Sequence, residues 1–418
     1  MMGLARLPQA WAQWREGAWL RRGLPVHDGR QAYRAESTST AAVGFDKALA
    51  GTVLALTLLG LIMVFSATVA LSDSPRYGKL TPTFFLVRHA MSLGVALVLL
   101  WGTLQVPVSF WERHAGKVFM LAVFLLVVVS IKGIGDIRGN ARRWIDFGFI
   151  TFQPGELAKV AMVVYAASYM ARKMDVKERF FKAVWPMAVA AGMVGLLLLR
   201  QPDFGTFIVI GTIAMGVLFL GGVNARMFFL IATVMLTVLG LVLAFDDLRR
   251  ERILAFMDPW NPDYARAKAW QLTNALIGLG LGSFFGQGLG QSVEKLHWLP
   301  EAHTDFLLAV LGEELGFVGV AAVVVGFFWI TRRIVAIGRQ AIALDRVFAG
   351  LLAQGVAIWL GFQAFIHMGV NLGVLPTKGL TLPFMSYGGS ALMMNAVALG
   401  LVLRVDMESR RMMRGTMT

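Results

Sequence analysis

Ten stretches of roughly twenty mostly apolar residues punctuate this 418-residue chain, at 46–70, 84–104, 115–133, 153–171, 183–199, 204–221, 226–246, 306–330, 346–373 and 385–404. Wound as α-helix, a run of that length matches the ~30 Å hydrocarbon layer of a bilayer. The pattern therefore predicts an all-α integral membrane protein with ten transmembrane helices. The fourth, fifth and sixth runs are the weakest. The fourth opens with Gln153, Pro154 and Glu156 and holds Lys159, while the fifth and sixth are parted only by Gln201-Pro202-Asp203. Charged residues make up 15% of the chain, against about 25% in soluble domains, so a water-facing surface cannot be built from it.

Ten spans return both termini to one side. With that side cytoplasmic, most of the net charge of +14 falls in inside segments, the positive-inside pattern, and nucleic-acid binding is not needed to explain it. The expected layout is a cytoplasmic tail (1–45), a membrane domain (46–404) with one large periplasmic loop (247–305) between helices 7 and 8, and a cytoplasmic tail (405–418). Residues 1–45 lack the apolar core of a cleavable signal peptide. Trp11, Trp14 and Trp19 among Arg15, Arg21 and Arg22 fit either an amphipathic helix on anionic lipid or a disordered arm. The long loop is rich in aromatics; Ala269–Leu281 predicts a short helix and the glycines from Gly278 to Gly290 predict tight turns. The chain contains no cysteine, which removes disulfides and thiolate chemistry. Five of the six histidines (His89, His114, His297, His303 and His367) are scattered without zinc-ligand spacing.

Three stretches carry polar residues where hydrocarbon disfavours them. In Gly139 to Lys159, Arg142 and Arg143 lie on the side where positive charge is scarce, and Glu156 and Lys159 share a face of the fourth helix. A charge pair there is either a functional site or an ion pair that fixes packing. In Leu299 to Gly316, Glu301, His303 and Asp305 stand at the mouth of the eighth helix, with Glu313 and Glu314 two turns deeper. Asp305 or Thr304 could simply cap that helix. The helix dipole would lower the Asp305 pKa, whereas burial would raise it. In Asn371 to Ser390, two prolines and four glycines break regular helix, which is tolerated at membrane depth only against protein or a cavity; Lys378 is its one cation.

These stretches, with Gln201-Pro-Asp-Phe-Gly-Thr206 and Pro259-Trp260 followed by Gln271, resemble the SEDS family of bacterial cell-wall polymerases through all ten spans. Pro300-Glu-Ala-His-Thr-Asp-Phe306 and Leu375-Pro-Thr-Lys-Gly-Leu-Thr-Leu-Pro383 are similar to its cell-division branch rather than its elongation branch. Gly155 before Glu156 and Ala391 after Ser390 depart from the family pattern, each small for small. The resemblance implies a peptidoglycan glycosyltransferase of the inner membrane that polymerises lipid II, a polyprenyl-pyrophosphate disaccharide pentapeptide, at the division septum. It implies Asp305 as the catalytic general base of an inverting transfer on the periplasmic face, and Arg142, Arg143, Glu156, Lys159, His303, Lys378 and Ser386 as substrate-binding residues. A cognate class B penicillin-binding protein and other divisome membrane proteins are the implied partners. The resemblance makes no cofactor certain, and a divalent cation could bridge pyrophosphate and Glu156 or Asp305. A lipid II flippase and a noncatalytic division scaffold are the alternatives.

Overall fold

The structure is a computed structural model. It describes residues 44–73, 81–138, 141–148, 151–173, 184–224, 247–265 and 267–414, with scattered positions between 226 and 240. The N-terminal tail with its tryptophans and most of the seventh apolar run lie outside the described residues. Each of the other nine runs falls on a helix: α1 (Lys47–Thr68), α2 (Phe84–Gln105), α3 (Val108–Ser130), α4 (Pro154–Arg172), α5 (Trp185–Arg200), α6 (Phe204–Leu220) and, after the long loop, α10 (Leu307–Ala343), α11 (Val347–Asn371) and α12 (Gly389–Met413). Within the loop lie α7 (Asp247–Met257), the single turn α8 (Pro262–Ala265) and α9 (Trp270–Gly282), the last where the sequence placed a short helix. Gly286, Gly288 and Gly290 have positive φ, the backbone that tight turns require.

Six of these helices, α1, α2, α3, α10, α11 and α12, are long and apolar enough to cross a membrane, and α5 and α6 are shorter apolar helices. Helix ends follow local chemistry. Asp46 caps α1, its side chain accepting from Leu49 N at 3.0 Å, and Pro154 opens α4 at a position where its missing N–H costs nothing. Three helices outrun their apolar stretches. α3 starts seven residues earlier than hydropathy placed it, α10 runs to Ala343 and α12 to Met413. The extra turns carry Arg113, Arg332, Arg333, Arg339, Arg410 and Arg411. Hydropathy sees only the hydrocarbon layer, whereas backbone hydrogen bonding continues into the interface with long basic side chains reaching water.

The expectation of a wholly α-helical chain is corrected between α3 and α4. There β1 (Gly135–Arg138), β2 (Ala141–Asp146) and β3 (Thr151–Phe152) form a small antiparallel sheet in that order, a segment too short and too charged to reveal its alternation. α10 also breaks at Gly316, where φ is +67°. The turn after α9 fills that break: Phe317 N donates to Ser283 O at 3.0 Å and Val318 N to Phe284 O at 3.2 Å, while Gln287 N donates to Glu313 O at 2.9 Å.

Burial separates centre from periphery. In α12, 89% of the apolar stretch is buried inside the protein, against 11% in α2. α4 is buried on nearly every face and packs against α3, α6 and α11. That is why its charges were compatible with a helix at the heart of the bundle: they face protein, not lipid.

Candidate functional site

The sheet, the α5–α6 hinge, the turn before α10 and the loop before α12 meet at one end of the bundle. Arg142 and Arg143 are consecutive on β2, at an irregularity in its register with β1, where Ile137 pairs with Arg142 and Asp136 with Trp144. Arg143 reaches the hinge, its Nη1 3.7 Å from Asp203 Oδ1. Arg142 turns away and lies over β1: a Cβ added to Gly135 would come 2.6 Å from Arg142 Cγ and 2.0 Å from the Val129 carbonyl of α3. The structure therefore brings Arg143, and not Arg142, toward Asp305.

Asp203 is 3% exposed and organises the hinge. It caps α6, with Oδ1 accepting from Thr206 N at 3.2 Å, while Oδ2 accepts from Thr206 Oγ1 and Gln153 Nε2, both at 3.0 Å. Next to it, Gln153 N donates to Ser390 Oγ at 3.0 Å and Ser390 Oγ donates to Thr151 O at 3.0 Å, which ties β3 to the start of α12.

Asp305 lies in a tight turn ahead of α10. Glu301 has φ +58°, and its carbonyl accepts from Thr304 N, Asp305 N and Phe306 N at 3.1, 3.1 and 3.3 Å. The helix is not capped by Asp305 or by Thr304, whose hydroxyl returns to Glu301 O at 3.2 Å. Asn371, from the end of α11, does that work: its Oδ1 accepts from Ala309 N at 3.0 Å, and its Nδ2 donates to Asp305 O and His367 O, both at 2.9 Å. The Asp305 carboxylate is left half-buried against the loop before α12, where a Cβ on Gly379 would stand 2.9 Å from Oδ2. Burial, reinforced by Glu301 and opposed by Arg143, pushes its pKa up to about 7. Of the two opposing effects legible in sequence, desolvation wins over the helix dipole, because Asp305 is not at the cap.

His303 is buried beside Phe85 and Tyr387, with ring centroids 5.2 and 5.4 Å away, and its carbonyl accepts from Tyr387 N at 2.9 Å. Burial lowers its pKa, against the pull of Glu301, so the ring acts as a neutral wall. Lys378 is half-buried with Nζ 5.6 Å from the centre of the Phe204 ring.

Glu156 and Lys159 form a different kind of site. Lys159 is fully buried, its Nζ 2.8 Å from Glu156 Oε2 and donating to Gln363 Oε1 at 2.8 Å. It also lies 5.1 Å from the centre of the Trp359 ring, and Trp359 Nε1 donates to the same Gln363 oxygen at 2.8 Å. Gln363 Nε2 in turn donates to Thr381 O at 2.8 Å, and His367 Nδ1 donates to Leu380 O at 2.7 Å. Ser386 is 4% exposed and its Oγ accepts from Leu382 N at 3.0 Å. This triad of Glu156, Lys159 and Gln363 thus holds the Leu375–Pro383 loop from beneath, and Ser386 closes its turn.

Glu313 and Glu314 also face inward. Glu314 pairs with Lys295 at 2.8 Å and accepts from Ser66 Oγ at 2.6 Å; Glu313 accepts from Ser292 Oγ at 2.5 Å and Val293 N at 2.6 Å. They clamp the long loop to α10 and α1. Beside them Glu294 is pushed up to about 7 by burial and by the neighbouring Glu313. Among the described residues no cluster of three or more His, Asp or Glu side chains is arranged to hold a metal ion.

Sequence reasoning did not single out Asp203, Gln153, Gln363 or Trp359 as site residues. A signal existed for the two glutamines and the aspartate, since an amide or carboxylate inside or between apolar runs needs a partner. Their partners come from helices distant in sequence and could not be paired from it.

The fold and site together define a polytopic membrane protein with an arginine, two aspartates and a proline- and glycine-rich loop converging at one end of its helix bundle. The chain belongs to the FtsW/RodA/SpoVE family of cell cycle proteins, whose model matches residues 47–411, and the SEDS resemblance is borne out. It is 51% identical over 381 residues to a protein of Polynucleobacter necessarius, covering 91% of this chain and 90% of that one. It is 53% identical over 382 residues to one of Burkholderia thailandensis, covering 91% and 82%. Both relatives bear the name "Probable peptidoglycan glycosyltransferase FtsW". Among solved structures, a chain from a peptidoglycan synthase complex, studied for the coordination of polymerization and crosslinking, superposes with a TM-score of 0.69 at 27% identity, covering 87% of this chain and 98% of that one. The rod shape determining protein RodA of Thermus thermophilus gives 0.62 at 27% identity, covering 88% and 97%.

Proposed function

We propose that this protein is a peptidoglycan glycosyltransferase of the inner membrane that polymerises lipid II at the division septum, with Asp305 as general base. The observation that carries the reading is a half-buried carboxylate held near pKa 7, within the field of Arg143 and, among the described residues, outside any cap or ion pair that would consume it. The relatives' names and the family supply the reaction class. Ten spans, with both termini cytoplasmic and the 247–305 loop periplasmic, put the Asp305 end of the bundle in the periplasm.

Transfer from an α-linked pyrophosphate to a β-1,4 product inverts the anomeric carbon in one displacement. The acceptor 4-oxygen bonds to that carbon as the carbon–oxygen bond to pyrophosphate breaks, and the hydroxyl proton passes to Asp305. A base poised near neutral pH is suited to this step. The departing pyrophosphate keeps the electron pair and needs positive charge rather than a proton donor; Arg143 supplies it, with Lys378 on the facing loop. Glu156 and Lys159 act from behind, as positioning residues for that loop. A class B penicillin-binding protein that crosslinks the product is the partner this reading calls for, in keeping with the synthase complex among the structural neighbours.

The test is full-length protein in defined lipid, with and without its partner, given labelled lipid II. Asp305→Asn is expected to abolish glycan chains while still binding substrate. Chains that persist in that variant, with the protein folded, contradict the reading, and so does a wild type that only moves lipid II between leaflets.

A further inference from the structure

Along α11, Gln363, His367 and Asn371 recur at every fourth residue, so they share one face of the helix, each about 6 Å beyond the last. All three are buried, none more than 1% exposed. Each donates to a backbone carbonyl at the site: Gln363 Nε2 to Thr381 O at 2.8 Å, His367 Nδ1 to Leu380 O at 2.7 Å and Asn371 Nδ2 to Asp305 O at 2.9 Å. The first also holds Lys159 and the last also caps α10. The His367 ring, between them, bonds to Leu380 alone among the described residues.

A carbonyl can only accept, so His367 Nδ1 carries a proton. Nε2 is buried without a partner among the described residues, and a second proton there would have no acceptor. The ring is therefore neutral, with its single donor fixed on Leu380. That residue closes a tight turn about Gly379: its N–H donates to Lys378 O at 3.1 Å, the three-residue γ-turn pattern. Leu380 seats in the space left by Gly205 at the start of α6, where a Cβ would stand 2.8 Å from Leu380 Cδ2. Gly379 faces the base, and a Cβ there would stand 2.9 Å from Asp305 Oδ2. The turn thus supplies part of the surface that buries Asp305, and burial is the main cause of its raised pKa.

We propose that His367 is a positioning residue for the transfer: by tying Leu380 O to α11 it holds the Lys378–Leu380 turn against Asp305 and so fixes the base relative to the cation that meets the leaving group. The assignment rests on the polymerase reading. His367 touches no reacting atom itself. One turn further along, Asn371 holds the backbone of Asp305, so the end of α11 grips both sides of the gap and loss of the His367 bond frees only one of them. The turn then lifts from the carboxylate and water enters. A misplacement of about 1 Å is enough to cost a large factor in rate, and the same entry of water relaxes the burial that holds Asp305 in the neutral range.

Full-length wild type, His367→Leu, His367→Asn and His367→Gln are to be compared in defined lipid for polymerisation of labelled lipid II across pH, with the melting temperature of each. The Asn amide can set a donor where Nδ1 stands, whereas the Gln amide reaches toward the place of Nε2. His367→Leu is expected to lower kcat about tenfold or more with KM within about threefold. It should also move the inflection of kcat/KM below that of the wild type, because the carboxylate gains water. His367→Asn is expected to return kcat to within about threefold of wild type and to restore the inflection; His367→Gln is expected to do neither. A His367→Leu protein that loses melting temperature but keeps kcat and the inflection overturns the proposal, and so does an Asn variant no better than the Gln variant. Should His367→Leu fail to fold, the Asn and Gln variants decide between themselves. Failure of the polymerase reading is distinguishable: Asp305→Asn then still makes glycan, or the wild type makes none, whatever stands at position 367.

Discussion

The bundle contains two cation–carboxylate groupings that look alike in sequence and differ in every physical respect. Glu156 and Lys159 sit in a sealed interior, 5% and 0% exposed, with each charge answered by the other and Lys159 also by Gln363. Asp305 and Arg143 sit at an open end, half-buried, with no direct bond between them and the carboxylate held near pKa 7. A pair closed on itself in the interior is out of a substrate's reach, whereas a carboxylate at the open end with a neutral-range pKa can exchange protons. The difference assigns chemistry to the second grouping and architecture to the first.

The sharpest break of that contrast is in rate. Asp305→Asn is expected to lower polymerisation by 100- to 10,000-fold, the usual range for losing a general base, with the melting temperature nearly unchanged. Lys159→Ala should do the reverse in kind. It strands a buried carboxylate, at a cost of about 3–5 kcal/mol, which calorimetry or a thermal-shift assay in detergent would read as a large drop in melting temperature. Replacing both partners, as Glu156→Leu with Lys159→Met, should recover much of that stability. If Lys159→Ala instead leaves stability intact and removes only activity, the sealed pair is catalytic after all and the contrast fails.

Smaller effects probe the frame that keeps the two groupings apart. Gly316→Ala forces a Cβ into the break in α10, where it would lie 2.3 Å from Gly286 N and 2.6 Å from Phe284 O at φ +67°. A loss of about 1–3 kcal/mol is expected from the backbone strain alone, and proteolysis of the 283–290 turn should quicken. Asn371→Ala removes the cap on α10 and should cost about 1 kcal/mol, with a modest fall in rate as Asp305 loosens. Asn371→Asp keeps the acceptor for Ala309 N but sets a buried carboxylate oxygen against the Asp305 and His367 carbonyls, and should retain no more stability than Asn371→Ala.

How much was legible in the sequence follows from the same physics. Apolar runs report contact with hydrocarbon, so the helices were readable, including the short helix Trp270–Gly282 in the long loop. The helix extensions, the sheet at Gly135–Phe152 and the break at Gly316 are set by backbone hydrogen bonds to distant segments, and hydropathy carries no trace of them. The Asp305 region was legible as a cluster of polar residues at a helix mouth. That Arg142 faces away while Arg143 faces in depended on a strand the sequence did not disclose. That Lys159 is sealed depended on Trp359 and Gln363, some two hundred residues further along the chain.

The most direct test is the pH dependence of kcat/KM for lipid II polymerisation. The base must be ionised to accept the acceptor's proton, so below about pH 7 the rate should fall tenfold per unit, and above it the rate should level off. Arg143 lowers the Asp305 pKa, so Arg143→Gln should move that inflection upward, while Glu301→Gln, which removes a charge that raises it, should move it downward. An inflection near 7 that shifts in opposite directions in the two variants is the predicted result. A profile flat between pH 5.5 and 8, or an inflection that ignores both substitutions, would contradict Asp305 as the base.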